Sequence, residues 1–162
     1  MRLPAELLDA IQQETDKVDR RKLVQATAQL TARYKAADFS GPAVVSEAHR
    51  AAYLAVRLPA TYAALRRVFA EINLRAPQAG IASMLDLGAG PGTALFAAAQ
   101  VFPFLQEATL VEADAEWIAL GRGEDPSLYR SFTDREALVP AALLVVWTIA
   151  AVILFIVVVV SS

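Results

Sequence analysis

The sequence predicts an α/β protein: a helical N-terminal region, a partial doubly wound βαβα unit and a C-terminal hydrophobic helix. Three observations carry that expectation. Ser83-Met84-Leu85-Asp86-Leu87 is a short apolar run holding an acid, and Gly88, Gly90 and Gly92 follow at every second position before an alanine-rich helical pattern. That order reads as a strand, a tight glycine turn and a helix N-terminus. Residues 3 to 75 show helical apolar spacing throughout, and from Ala137 to Ser162 no charged residue occurs. The expected divisions are 1–76 (helical), 77–132 (partial cofactor-binding domain) and 133–162 (transmembrane helix).

Composition narrows the chemistry. The chain has 162 residues, no cysteine and a single histidine, His49. Disulfides, iron–sulfur clusters and thiolate zinc sites are excluded within it, and no metal is expected as cofactor or partner. The net charge of −2 is unevenly spread: residues 1 to 75 hold 12 Lys/Arg against 8 Asp/Glu, and residues 76 to 162 hold 3 against 9. A mildly basic front half suits a surface facing ribosomal RNA, and solvated helix faces give the same balance. Mean hydropathy is +0.42, raised mainly by the C-terminal segment. Met1 to Gln29 is amphipathic and carries acids, unlike a secretory signal, so a cytoplasmic domain is expected.

Taken in order, Pro4 suits the first turn of a helix through Gln13, with Leu7, Leu8 and Ile11 on one face. Asp19 is the expected N-cap of a second helix to about Ala37, striped by Leu23, Ala26, Leu30 and Tyr34. Asp38 to Pro42 reads as a turn. A third helix from Pro42 carries Val45, Ala48, Ala52 and Val56. Pro59 should interrupt or kink the path before a fourth helix, Thr61 to Leu74. Ile81 to Leu87 reads as a buried strand, Thr93 to Val101 as a helix and Ala108 to Glu112 as a second, parallel strand. Asp114 can cap a further helix from Ala115 to Leu120.

The glycine spacing bears on the ligand. A dinucleotide fingerprint places its third glycine where Thr93 stands; here it falls at Gly92. Glycines let a ligand approach the backbone closely because no Cβ intervenes. Asp86 is placed to accept from a ligand ammonium. Glu112, ending the second strand, occupies the position where an acid bonds ribose hydroxyls in related folds, with Asp114 as the other candidate. A helix cap or a solvated carboxylate is the competing reading of either acid. His49 and Trp117 read as packing or surface residues.

The G-x-G-x-G form preceded by Asp86 resembles motif I of class I methyltransferases, which hold S-adenosylmethionine. Three stretches read together, Ala52 to Ala64 (with Arg57-Leu58-Pro59-Ala60-Thr61-Tyr62), Leu85 to Ala94 and Leu110 to Asp114, resemble bacterial methyltransferase-like proteins related to the mitochondrial small-ribosomal-subunit assembly factor. The likeness covers roughly residues 2 to 122. It implies a Rossmann-like class I methyltransferase unit, S-adenosylmethionine as cofactor, and the small ribosomal subunit or its rRNA as partner. The implied ligand contacts are Asp86, Gly88, Ala89, Gly90, Gly92 and Glu112; no catalytic residue is assigned. Only two strands of a class I sheet are legible, so cofactor recognition without turnover is expected from a chain cut short after its cofactor corner. The alternatives are a non-catalytic ribosome-binding module and a tail-anchored membrane protein carrying a relic of the fold.

From Ala141 to Val160 only Thr148 is polar. Twenty helical residues span about 30 Å, the thickness of a bilayer core, so a lipid bilayer is the expected partner of residues 138 to 160. The competing reading makes Leu143 to Val160 buried strands of the same sheet, although no turn residue interrupts the run. A join between family-like and unrelated sequence, natural or from a shifted reading frame, is expected near residues 122 to 135.

Overall fold

The computed structural model describes residues 2–37, 40, 43–122, 129–131 and 157–160. Two compact units divide it, 1–64 and 65–162.

The first unit is helical. Helix α1 spans Ala5–Asp16 after Pro4, α2 spans Arg20–Lys35, and α3 spans Glu47–Ala52. Asp19 caps α2 as expected, its Oδ1 accepting from the backbone N–H of Arg21 at 3.0 Å and of Lys22 at 3.3 Å. Asp19→Ala should therefore lower stability by about 1 kcal/mol, read from chemical denaturation. The core joins Ala26 and Leu30 of α2 to Ala52 of α3, with Leu23, Tyr34, Ala48 and Tyr53 packed around them. The expected stripe on α2 is thus the buried one.

Helix α3 starts later than Pro42, at Ser46, whose hydroxyl accepts the His49 N–H. The His49 ring joins two helices: Nδ1 lies 2.8 Å from Ser46 Oγ and Nε2 lies 2.9 Å from Gln29 Oε1. Gln29 Oε1 can only accept, so Nε2 carries the proton and Nδ1 accepts from the serine. His49 is a structural link. The turn expected over Asp38 to Pro42 lies outside the described residues except for Ser40.

Pro59 does not break the helical path. A π-helical turn, Tyr53–Arg57, follows α3 directly and leads into α4, Leu58–Arg75. The Leu58 N–H donates to the Tyr53 carbonyl, five residues back. The widened turn lies against the proline, whose ring would crowd the carbonyl four residues back in an ordinary α-helix. Within the same unit the Arg57 guanidinium stacks over the Tyr34 ring, 3.8 Å from its centroid.

The second unit holds the sheet. Strand β1 is Ser83–Leu87, helix α5 Thr93–Ala99, β2 Glu107–Glu112 and α6 Ala115–Arg122. Strands β3 (Tyr129–Ser131) and β4 (Val157–Val160) complete the order β3-β2-β1-β4. β1 and β2 run parallel with Ser83 opposite Glu107, β2 and β3 are parallel, and β4 is antiparallel to β1 with Asp86 opposite Val157. Buried Ala89, Leu110 and Ile118 form one core cluster, and the Phe69 and Phe102 rings meet at 5.4 Å in another contact.

The sheet corrects two expectations. It has four strands among the described residues, where two were legible. The transmembrane helix expected over 133–162, and with it the bilayer contact of residues 138 to 160, lies largely outside the described residues. Where the segment is described, at Val157–Val160, it is a strand. Four consecutive β-branched residues favour extended backbone, and the open edge of β1 supplies hydrogen-bond partners. No helix among the described residues is long and apolar enough to cross a membrane.

Candidate cofactor site

The β1–α5 turn is shaped by its glycines. Gly88, Gly90 and Gly92 have φ of 76°, 54° and 79°, in the left-handed region that favours glycine. A Cβ built on Gly88 or Gly90 would meet nothing within 4 Å, so both backbones border open space. Ala89 is different: its side chain is buried against Leu110 and Ile118, leaving only its backbone for any ligand.

The N–H groups of the turn are already engaged. Gly88 and Ala89 both donate to the Val111 carbonyl, at 2.8 and 3.1 Å. Gly90 donates to Glu112 Oε2 at 2.7 Å, and Gly92 donates to the Ala89 carbonyl at 2.9 Å. Pro91 has no N–H to give. A phosphate nest needs successive N–H groups turned toward the ligand, and here Gly88, Ala89 and Gly90 send theirs to β2 while Gly92 donates within the turn.

Two acids stand at the strand ends. Asp86, on the inner face of β1 with Met84, is 0% exposed. Among the described residues neither of its oxygens has a hydrogen-bond partner. Burial, and secondly the charge of Glu112, push its carboxyl up from 3.8 to about 6. Glu112 is half-buried, and its Oε1 accepts from Ala113 N–H at 2.7 Å and Asp114 N–H at 2.9 Å. Asp114 is occupied as the cap of α6, accepting from Glu116 N–H at 2.9 Å. Between Arg75 and Arg122 the chain has no Lys or Arg, and across the sheet Arg130 of β3 stands opposite Val111, next to Glu112.

The structure thus brings Asp86, Gly88, Gly90, Gly92 and Glu112 to one end of the sheet, with Asp114 assigned to its helix. Sequence reasoning missed Thr93, which is fully buried and whose hydroxyl has no hydrogen-bond partner among the described residues. A lone hydroxyl opening an otherwise apolar helix was its only signal. Among the described residues no cluster of His, Cys, Asp or Glu could hold a metal ion. A groove of about 680 Å³ lies along Arg67, Val68, Glu71, Ile72, Arg75 and Ala76, on α4 and the residue after it; none of the turn residues lines it.

A parallel βαβ unit with its glycine turn at the carboxyl ends of the strands is the arrangement of the doubly wound α/β class, in which ligands bind at that end of the sheet. The glycines bordering open space and the buried Asp86, whose oxygens have no partner among the described residues, fit a cofactor with a nucleoside moiety. The chain belongs to the mitochondrial small ribosomal subunit Rsm22 family, whose profile matches residues 47–154. That match bears out the expected methyltransferase-like family. It runs well past residue 122, so the break expected near 122 to 135 is not where the family resemblance stops. Comparisons with curated proteins and with solved structures return no match.

Proposed function

We propose that this protein is a methyltransferase-like component acting at the small ribosomal subunit, in rRNA methylation, assembly or translation, and that it binds S-adenosylmethionine at the β1–α5 turn. The observation that carries the ligand assignment is a glycine turn whose Gly88, Ala89 and Gly90 N–H groups are taken up by β2, with the carboxylates of Asp86 and Glu112 at the strand ends beside it. S-adenosylmethionine has no phosphate and carries two cationic centres. When bound, it supplies an electrophilic methyl group. Gly88 and Gly90 would admit it close to the backbone, Asp86 would accept from its ammonium, and Glu112 would accept from a ribose hydroxyl. The carboxylates would also favour its net charge over that of a nucleotide.

A non-catalytic docking role is the second reading, favoured by the excess of Lys/Arg over residues 1 to 75. Sedimentation of the full chain with purified small ribosomal subunits tests both, using wild type and Gly90→Asp. At φ 54° a side chain adds strain of about 1–2 kcal/mol, and its charge would join Asp86 and Glu112. The variant is expected to lose at least about tenfold in S-adenosylmethionine affinity. Loss of subunit association as well supports cofactor-dependent action. Retention supports docking alone, and absence of the wild type from subunit fractions would contradict both.

A further inference from the structure

Glu112 does something that its position at the end of β2 does not announce. Three backbone N–H groups fill its two oxygens: Gly90 at 2.7 Å on Oε2, and Ala113 at 2.7 Å and Asp114 at 2.9 Å on Oε1. A carboxylate offers about four acceptor positions, so about one remains. The bonds on Oε1 are local, to the next two residues, and fix the carboxylate's orientation. The bond on Oε2 crosses 22 residues to the middle of the glycine turn. The preceding residue grips the same turn, since the Val111 carbonyl accepts from Gly88 and Ala89. Three successive turn N–H groups are therefore held by two successive residues of β2.

The two grips differ in kind. Val111 acts through its main chain, and any residue there would do the same. Glu112 acts through a side chain, which must be long enough to reach Gly90 and must accept on both oxygens at once. The turn needs such restraint: three of its five residues are glycines with positive φ, which gain most from unfolding or rearrangement. Gly92 is bonded inside the turn, to Ala89.

We infer that Glu112 is a positioning residue that latches the glycine turn in its open-faced shape, and that its one remaining acceptor position limits it to a single ribose hydroxyl. The inference rests on the cofactor reading for its second half alone; the latch itself requires no ligand. It also distinguishes Glu112 from Asp86, whose oxygens have no hydrogen-bond partner among the described residues.

The test compares Glu112→Ala, Glu112→Gln and Glu112→Asp with wild type in the full chain, by amide hydrogen exchange at Gly90 and by affinity for S-adenosylhomocysteine. Aspartate keeps the charge and can still cap Ala113 and Asp114, but it is one methylene shorter, so it withdraws the acceptor from Gly90 alone. Exchange at Gly90 is expected to quicken at least about tenfold in Glu112→Ala and Glu112→Asp, with Glu112→Gln between them and wild type. Affinity should fall in the same rank order, because a released turn binds only in the fraction of time it holds the latched shape. Gly90 exchange unchanged in both Glu112→Ala and Glu112→Asp would overturn the latch, even if affinity falls, which would leave Glu112 a ribose ligand only. Should wild type fail to bind S-adenosylhomocysteine while Gly90 exchange still responds, the latch stands and the cofactor reading fails. A Glu112→Ala chain that does not fold leaves the decision to Glu112→Asp, whose single missing methylene removes no core contact.

Discussion

Asp86→Asn is expected to stabilise the ligand-free protein at neutral pH while removing most of its affinity for S-adenosylmethionine. The carboxyl is fully buried, has no hydrogen-bond partner among the described residues, and is pushed by burial from 3.8 up to about 6. A carboxyl whose pKa is raised on folding binds its proton more tightly in the native state. The native protein therefore suffers no penalty from this group below about pH 4, loses stability as pH rises through about 4 to 6, and bears the full cost above that. A displacement of this size corresponds to roughly 3 kcal/mol. Asparagine has nearly the same shape and no charge to desolvate, so the variant should lack this slope and gain about 2–3 kcal/mol at pH 7. Denaturant midpoints between pH 4 and 8 measure it. A buried carboxylate kept at such cost fits a cationic ligand as its partner. Losing a charged hydrogen bond to that ligand removes about 1.5–3 kcal/mol of binding, or roughly tenfold to a hundredfold in affinity. In the wild type, binding should weaken as pH falls through about 6 and Asp86 takes up its proton.

The second large effect is expected from Leu110→Ala. Leu110 is 0% exposed near the end of β2 and packs with Ile118 of α6 and with Ala89 of the turn itself. It thus joins three things the site needs: the strand that ends in Glu112, the helix capped by Asp114, and the turn. Truncation removes about three methylene equivalents and leaves a cavity that a parallel sheet cannot readily close, costing about 2–5 kcal/mol. A fall in melting temperature of roughly 10 °C follows for a unit of this size. Because Ala89 loses the side chain it rests on, cofactor affinity should fall with stability, whereas a core truncation remote from the turn, such as Phe102→Ala, should lower stability with a smaller effect on binding.

What was legible in the sequence was local. The glycines at every second position dictate a left-handed turn wherever they occur, and the elements on either side follow from periodicity, so β1, α5, β2 and α6 stand within a few residues of expectation. Asp19 and Asp114 were readable as caps because a cap depends on the next few residues only. What was not legible depends on partners distant in sequence. The burial of Asp86 arises in a central strand flanked by β2 and β4. The direction of the Glu112 carboxylate is settled by Gly90, 22 residues earlier. β4 lies in an uninterrupted apolar run that satisfies the length rule for a membrane helix, and only the open edge of β1 selects an extended form for Val157–Val160. The π turn ahead of Pro59 combines two tendencies that sequence rules treat as exclusive, helix continuation and proline interruption.

The proposed cofactor reading rests on the β1–α5 corner of the sheet and its engaged turn amides. Isothermal titration of the folded full chain at pH 7.5 with S-adenosylmethionine, and in parallel with NADP and ATP, tests that most directly. Saturable binding of one S-adenosylmethionine per chain, lost in Asp86→Asn and without detectable heat from either phosphorylated nucleotide, is the predicted result. No heat with S-adenosylmethionine in a sample confirmed folded, or tighter binding of a phosphorylated nucleotide, would contradict it.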